Sequence, residues 1–332
     1  MRSITASYRI VTPMFIGGAN QDPSDGIRPP SFKGALRFWW RALNWGKFYQ
    51  DYQNDEAVAL KALHQKEGEL FGSAAKDGKG GQGIFLLTVN KQPSLNHYVD
   101  DWPKGHTERG AESKSGYLGL GLFPMGEHKR RKAISEHQTF DICIRWTAKA
   151  QEEDKKSILN ACKALGLFGG IGSRNRKAFG SISLESLSGE SFKCQTKDDY
   201  INHCTRILHR PDLPYLPPYT AASPWTKWAL GKMCNDARSA HSALANTYLT
   251  TRGQGGDVKG RSKIAFGLPL DGYDEVRRAS PLLMHIHPIG DRYTSSCLFL
   301  PSDFHRNYET GGHPDFYQGV STFMSKLGEV QL

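Results

Sequence analysis

Residues 4–12 alternate between apolar and polar side chains, with an apolar residue at each even position from 4 to 10. A period of two is typical of a strand that buries one face. Pro13 ends the pattern, and a loop containing Gly17 and Gly18 follows. The sequence therefore predicts a half-buried strand here.

The segment 32–48 repeats apolar side chains at steps of three and four residues, which predicts a helix. Ser31 stands directly after two prolines, where a helix N-cap is expected. Trp39 belongs to the apolar stripe and is predicted to lie in the core. A second stripe is cationic and consists of Lys33, Arg37 and Arg41, with Trp40 beside it.

The other periodicities extend this order of elements. They predict helices at 56–71 and 152–168, and strands at 84–89, 137–146 and 181–187. The resulting order is that of the β-α-β-β-α-β ferredoxin-like unit, a fold that also underlies RNA-recognition domains with an open sheet. We therefore predict an α+β chain whose first ferredoxin-like domain covers residues 1–190.

The second half follows the same order less clearly. It predicts helices at 198–209, 225–249 and 316–327, and strands at 264–268, 282–288 and 293–300. We interpret residues 191–332 as a second, degraded ferredoxin-like domain.

Residues 100–135 interrupt the first unit and are rich in glycine, serine and charge. They end in a basic run that includes Arg130 and Arg131. The length and composition indicate an insertion, either a hairpin or a mobile loop. We assign the two arginines to RNA as a hypothesis of our own.

The composition narrows the class of protein. Hydrophobic residues make up 38% of the chain, which is enough to form a core. The sequence has neither a run of 18 apolar residues nor the pattern of a signal peptide, so we expect a cytoplasmic protein without a membrane partner. None of the six cysteines forms a C-x-x-C pair, and we expect no metal, no cofactor and no small-molecule substrate.

The formal net charge is +10. A positive field of this size attracts polyanions without choosing among them. The cationic stripe concentrates that charge, because its members recur every four residues. Like charges at this spacing repel by roughly a few tenths of a kcal/mol per pair, so the stripe is more easily tolerated when an anion lies across it. We predict RNA phosphates there, with Trp40 stacked on a base; the alternative is a solvated face.

The most informative segment is the glycine loop, residues 168–180. Its glycines allow a close approach of backbone N–H groups to a phosphate, and three cations supply charge. It matches neither a dinucleotide fingerprint nor a Walker A loop. The alternative is an ordinary surface turn. The candidate RNA-binding residues are Gly172, Ser173, Arg174, Asn175, Arg176 and Lys177.

Two features of the second half are also candidates. His285 and His287 point to one face of a predicted strand, and we expect them to be hydrogen-bonded or exposed rather than metal ligands. Arg277 and Arg278 precede that strand and would point to opposite faces, one toward RNA and the other toward a carboxylate. Known catalytic motifs are missing from the sequence, but an RNA-cleaving site built from His, Lys and Tyr would leave no motif.

Several segments resemble one family. Residues 12–19 (TPMFIGGA) and 28–41 (RPPSFKGALRFWWR) are similar to the N-terminal signature of the first-numbered RAMP subunits of the Cmr complex, the type III-B CRISPR effector. The glycine loop resembles the RAMP glycine-rich loop. Residues 266–269 (FGLP) and 277–282 (RRASPL) resemble the family's C-terminal blocks.

The resemblance implies two packed ferredoxin-like domains and a non-catalytic subunit. It implies a place at the head of the complex, near the 3′ end of the guide RNA and the 5′ part of the target, beside other RAMP subunits. Target cutting and signalling belong to other subunits of such complexes. Two alternatives stay open: a metal-independent guide-processing endoribonuclease of the same superfamily, and a basic scaffold that meets only proteins.

Overall fold

A computed structural model of the chain describes residues 3–18, 21–74, 81–94, 98–99, 102–103, 106–107, 110–111, 113–122, 131–268, 277–303 and 314–330. Its first part contains β1 (Ser3–Ile10), α1 (Pro29–Asp51), α2 (Glu56–Phe71), β2 (Phe85–Lys91), β3 (Tyr98–Val99), β4 (His106–Thr107), β5 (Gly110–Ala111), α3 (Lys114–Leu118), β6 (Ala133–Ile134), β7 (Thr139–Trp146), α4 (Glu152–Phe168), β8 (Ile182–Leu187) and β9 (Glu190–Ser191). Its second part contains α5 (Lys197–Ile207), β10 (Lys227–Cys234), α6 (Ala237–Arg252), β11 (Leu282–Ile289), β12 (Arg292–Phe299), α7 (Gln318–Leu327) and β13 (Glu329–Val330). None of the described helices is long and apolar enough to cross a membrane.

The first sheet has the order β2-β7-β1-β8-β9 and is antiparallel. The even residues of β1 point into the core, as the alternation predicts, and α1 and α4 cover that face. Tyr8 stacks on Phe140 with ring centroids 5.5 Å apart, and its hydroxyl donates to Cys162 O over 2.9 Å. The buried hydroxyl thus finds an acceptor on α4 and ties the helix to the sheet.

The second sheet has the order β11-β12-β10-β13 and is antiparallel as well, with α6 and α7 packed on it. The first four strands of the first sheet and the four strands of the second have the same order: second, third, first and fourth along the chain. The two layers share one apolar core, since Phe168 at the end of α4 contacts Trp228 of β10 at 5.8 Å between centroids. The glycine loop therefore lies where the two sheets meet.

The other face of the first sheet is open. Thr5 of β1, Thr88 of β2 and Arg145 of β7 are exposed there, together with Leu86 at 51% exposure. Among the strand residues described on this face none is aromatic. The stacking platform of an RNA-recognition domain is thus not built on this surface.

Three predictions of local structure were wrong. The N-cap of α1 is Arg28 rather than Ser31, because the two prolines occupy the first helical positions, where a missing N–H costs nothing. Residues 225–249 are not one helix: β10 precedes α6, because Trp228 pairs with Leu298 inside the sheet. Residues 264–268 fall largely in a 3₁₀ helix, Gly260–Phe266.

The inserted segment is anchored where the structure describes it. α3 packs against α6, and the buried ring of His241 bridges them, with Nδ1 3.0 Å from Ser115 Oγ. The second ring nitrogen lies 3.0 Å from Lys177 O in the glycine loop. Residues 113–122 are therefore part of the packed body, in contrast to the mobile loop that was one of the two expectations.

Candidate nucleic-acid interface

The glycine loop lies directly on the segment that precedes α1. Ser173 N–H donates to Phe15 O over 2.8 Å. Gly172 has a φ of 98°, and a Cβ at this position would lie 2.6 Å from Phe15 O. Only glycine fits here, because any side chain would meet the neighbouring backbone.

A groove of about 480 Å³ separates the glycine loop from the N-terminal half of α1, and we call it the α1 groove. From α1 it is lined by Ser31, Gly34, Ala35, Phe38 and Trp39. Gly34 is exposed, and no atom lies within 4 Å of the place of a Cβ. The missing side chain leaves the groove open to an extended ligand.

The polar lining of the α1 groove is cationic. Arg131 Nη1 donates to Ser173 Oγ over 2.8 Å, and burial lowers the pKa of Arg131. Arg28, which also lines the groove, donates from Nη2 to Gly17 O over 3.2 Å. No acidic residue lines the groove in the described ranges. The groove therefore favours an anionic ligand.

Arg176 marks the end of the α1 groove and the start of a second cavity. Its guanidinium lies over the ring of Phe38 at 5.0 Å, and its Nη1 donates to Ser280 O. Burial lowers the pKa of Arg176 to about 10. Arg176 therefore lines both cavities.

The second cavity, which we call the α6 pocket, has a volume of about 560 Å³. Its walls come from five segments of the chain: α3 and the residues after it, the glycine loop, α6, residues 266–268 at the end of the 3₁₀ helix, and the residues before β11. Its lining side chains include Tyr117, Arg174, Lys177, Tyr248, Arg252 and Arg277.

Lys177 is enclosed between the glycine loop and α6. Its ammonium donates to Tyr248 Oη over 2.9 Å and lies 4.1 Å from the centre of that ring. Burial, and to a lesser extent the charge of Arg252, lowers the pKa of Lys177 to about 7. The ammonium thus faces a phenol at the wall of the α6 pocket, and its contact to RNA stays a prediction.

Two buried histidines of β11, His285 and His287, lie beneath the glycine loop, and one of them contacts its backbone. His285 Nδ1 lies 2.8 Å from Gly169 O, and His285 Nε2 lies 3.1 Å from His287 Nδ1. Burial lowers both pKa values, that of His285 to about 3, so both rings are neutral. His285 then donates to the loop carbonyl and accepts from His287. The expectation of hydrogen-bonded histidines on one face is confirmed.

Two members of the cationic stripe of α1 have an anionic partner within the protein. Arg37 and Arg41 both contact Glu67 of α2, with N–O distances of 3.2 and 2.7 Å. Arg37 also donates to Gly72 O. The anion across the stripe is thus an internal carboxylate that is almost fully buried.

Trp40 was also misplaced by the prediction. Its side chain is 2% exposed, and its Nε1–H donates to Ser157 Oγ of α4 over 3.0 Å. A ring enclosed in this way cannot stack on a base. Trp39, predicted to be buried, is confirmed as a core residue at 2% exposure.

The remaining candidates differ in their setting. The Lys33 ammonium lies 5.2 Å from the centre of the Phe85 ring, outside the α1 groove. Asn175 Nδ2 donates to Gly170 O over 3.1 Å and so fastens the loop to itself. Arg277 is exposed at the α6 pocket. Arg130 lies outside the described residues.

Sequence reasoning missed three residues of the candidate site. Gly34 was quoted only as part of a signature, although a glycine inside a helix is itself a signal of close approach. Arg28 was interpreted as part of a loop. Arg252 ends a helix whose position in the fold was not predictable from periodicity.

The comparisons with known proteins agree with this architecture. The model of the RAMP superfamily matches residues 7–183, which is more than half of the chain. The chain belongs to the RAMP superfamily. This RAMP protein is 24% identical to the Cmr subunit Cmr1-1 of Pyrococcus furiosus over 304 residues, 84% of this chain and 82% of that protein.

Two solved structures share the fold. The crystal structure of Cmr1 from Pyrococcus furiosus in its apo form has a TM-score of 0.64 and 21% identity over 99% of this chain and 98% of that one. A chain in the cryo-EM structure of the type III-B Cmr-beta complex bound to cognate target RNA has a TM-score of 0.60 and 11% identity, with 98% of each chain covered. Both likenesses show a mixed α/β fold with antiparallel sheets.

Proposed function

We propose that this RAMP protein is a non-catalytic, RNA-binding subunit of a type III-B CRISPR effector in the cytoplasm. The observation that carries the proposal is the α1 groove, which is open at Gly34, cationic at Arg28, Arg131 and Arg176, and lined by no described acidic residue. Backbone phosphates fit such a surface whatever the RNA sequence, as a guide-directed complex requires.

The names of two similar proteins support the proposal that this chain belongs to a Cmr complex. One relative is a Cmr subunit, and one structural neighbour belongs to a complex bound to target RNA. We propose the same partners here: guide RNA, target RNA and other RAMP subunits. We place the chain at the head of the complex, near the 3′ end of the guide and the 5′ part of the target.

The domain assignment belongs to the same proposal. We propose ferredoxin-like domains at residues 1–190 and 191–332, because both sheets repeat one element order and one strand order. The α1 groove then lies on the first domain at its border with the second, where Leu283 contributes to the lining.

Gly34 offers a direct test of the groove. We expect Gly34→Glu to weaken binding of single-stranded RNA by the full chain about tenfold or more, because a carboxylate enters the path of the phosphates. Gly34→Gln is the matched control, since it adds the same bulk without charge. Fluorescence anisotropy of a labelled RNA at fixed salt measures both. Binding of Gly34→Glu as tight as that of Gly34→Gln, or a wild type that does not bind RNA, contradicts the proposal.

The endoribonuclease alternative has a separate readout. We expect repeat RNA to remain intact when it is incubated with the full chain in EDTA. A defined cut that disappears on substitution of one histidine or tyrosine would replace the binding-only function with metal-independent cleavage.

A further inference from the structure

Exposed apolar side chains gather where α1 ends and α2 begins, on residues 51–58 and 211–218, which we call the Tyr215 patch. Tyr215 is 69% exposed, Val58 47% and Tyr52 41%. They are three of the four large apolar side chains that are exposed among the described residues, and the fourth is Leu86 on the open face of the first sheet. Single exposed apolar residues are ordinary, but a group of them marks an interaction surface.

The core beneath the Tyr215 patch holds its two segments together. Leu213 is buried in one apolar cluster with Tyr49 of α1 and Ala59 of α2. Gln50 Nε2 donates to Asp212 O over 3.5 Å, so the second segment also contacts the end of α1. The exposed side chains are therefore carried by a packed scaffold.

The Tyr215 patch is acidic, although the chain has a formal net charge of +10. Its two segments contain no Lys, Arg or His, and their four acidic residues are all exposed: Asp51, Asp55, Glu56 and Asp212. In the described part of the chain none of the four forms an ion pair. A surface of this sign repels RNA phosphates and attracts a cationic partner.

The patch continues into a groove of about 530 Å³ between α1, α2 and α4, and Tyr52 belongs to both. Phe48, Tyr52 and Ala62 contribute apolar surface to this groove. Its acidic residues outnumber its two lysines, and they are Asp51, Glu69, Glu153 and Asp154. Aromatic rings beside carboxylates suit Lys and Arg side chains, which pack their stems on a ring and direct their charge to an acid.

We propose that the Tyr215 patch is the docking surface for a neighbouring RNA-binding protein subunit, which meets it with a surface rich in Lys and Arg. This rests on the proposed function, because a subunit that holds the same RNA carries positive charge against the phosphates. Tyrosine is a frequent anchor at the centre of protein interfaces, and the surrounding acids orient a basic partner. The patch shares no residue with the α1 groove, so docking and RNA binding can be altered separately.

Two variants of the full chain test the surface, each with a matched control. Tyr215→Ala removes the most exposed ring, and its control is Leu86→Ala, since Leu86 is 51% exposed on another face. Asp212→Lys reverses one charge, and its control is Asp291→Lys, since Asp291 is exposed in the turn between β11 and β12. The probe is the guide-loaded effector assembled from the other subunits without this chain. Biolayer interferometry measures how tightly the full chain joins it.

We expect Tyr215→Ala to dock at least tenfold more weakly than Leu86→Ala, because it removes an interface anchor. Asp212→Lys should dock about fivefold more weakly than Asp291→Lys at low salt, and the difference should shrink as salt screens the charges. Both patch variants should bind single-stranded RNA at least as tightly as the wild type, since neither removes a cation. A loss of RNA binding would mean that the substitutions disturb the fold rather than a docking surface, and would contradict the proposal.

Patch variants that dock as their controls do overturn the proposal, and the proposed function stands if the wild type docks. A wild type that does not dock overturns the docking surface together with the place in the effector, and RNA binding by the chain alone then reports separately on the α1 groove. Light scattering of the full chain alone addresses a second copy as the occupant. A dimer that Tyr215→Ala converts to a monomer would assign the patch to self-association and overturn the proposed partner.

Discussion

The arginines of α1 and those of the α6 pocket are the same residue type in opposite electrostatic settings. Arg37 and Arg41 lie along one helix face and share the carboxylate of Glu67. Arg174 and Arg252 come from separate segments and have no carboxylate partner among the described residues. The two arginines of the helical stripe are neutralised by an internal carboxylate, and the two that the fold brings together at the α6 pocket are not.

This difference shows that a cationic stripe is not by itself a ligand surface. The repulsion along α1 is relieved by a residue in the following helix, 30 positions from Arg37 and 26 from Arg41. Two guanidinium groups and one carboxylate form a structural cluster that holds α2 against α1. The unpaired set is the one with charge left for an external polyanion.

The largest expected effect is the loss of stability in Glu67→Gln. The carboxylate side chain is 5% exposed, so its removal leaves two partly buried arginines without a counter-charge. We expect the free energy of unfolding to fall by about 3 kcal/mol, toward the lower end for a broken buried pair because both arginines are about one-third exposed. Urea titration of the full chain measures the change.

Glu69→Gln is the control for this prediction, because Glu69 is 52% exposed and its contact to Lys66 spans 3.8 Å. An exposed pair of this kind contributes at most about 1 kcal/mol. If Glu67→Gln and Glu69→Gln unfold at the same urea concentration, the stripe is not neutralised by Glu67 and the contrast between the two groups of arginines disappears.

The next largest effect is the pH dependence of stability that Lys177 causes. Its pKa is about 7 in the folded chain and 10.5 in the reference state, so between these values the unfolded chain binds more protons. Stability should therefore rise with pH in this window and lose that gain as the pH falls toward 7. The gain is about 2 kcal/mol at most between pH 7 and 8.5. Urea titrations at several pH values should show this rise in the wild type, and a smaller one in Lys177→Met.

Because wild type and Lys177→Met share all other titratable groups, the contribution of those groups to the pH dependence cancels when the two profiles are compared. Equal pH profiles for wild type and Lys177→Met would mean that the ammonium is hydrated. The α6 pocket would then be less enclosed than the hydrogen bond to Tyr248 indicates.

Periodicity predicted the first sheet and its helices well. α2 and α4 occur at the predicted positions. Their apolar side chains recur every three to four residues, and this period indicates a helix. The prediction of one helix over 225–249 was wrong, because Trp228 and Leu230 suit a helix as well as a strand. Only the pairing of β10 with β12, some 65 residues away, decides between them.

The candidate site was harder to predict than the fold. The glycine loop was found because several glycines and three cations stand together in the sequence, whereas the need for glycine at Gly172 is seen only in the structure. The fate of Arg37 and Trp40 depends on which atoms of α2 and α4 lie opposite α1, and the sequence pattern carries no such information. The α6 pocket joins residues from five segments and becomes visible only in three dimensions.

The smallest effect, and the most direct comparison of the two groups, is the salt dependence of RNA binding in Arg37→Met and Arg174→Met. Each phosphate contact adds about 0.7 to the slope of log affinity against log salt for single-stranded RNA. We expect Arg174→Met to lower the slope by about that amount, and Arg37→Met to leave it unchanged because Glu67 already holds the guanidinium. Anisotropy titrations at four salt concentrations, with unfolding curves to verify that both variants are folded, give the slopes. A lower slope in Arg37→Met alone would return the RNA to the α1 stripe, since only a cation that releases counterions from the RNA contributes to the slope.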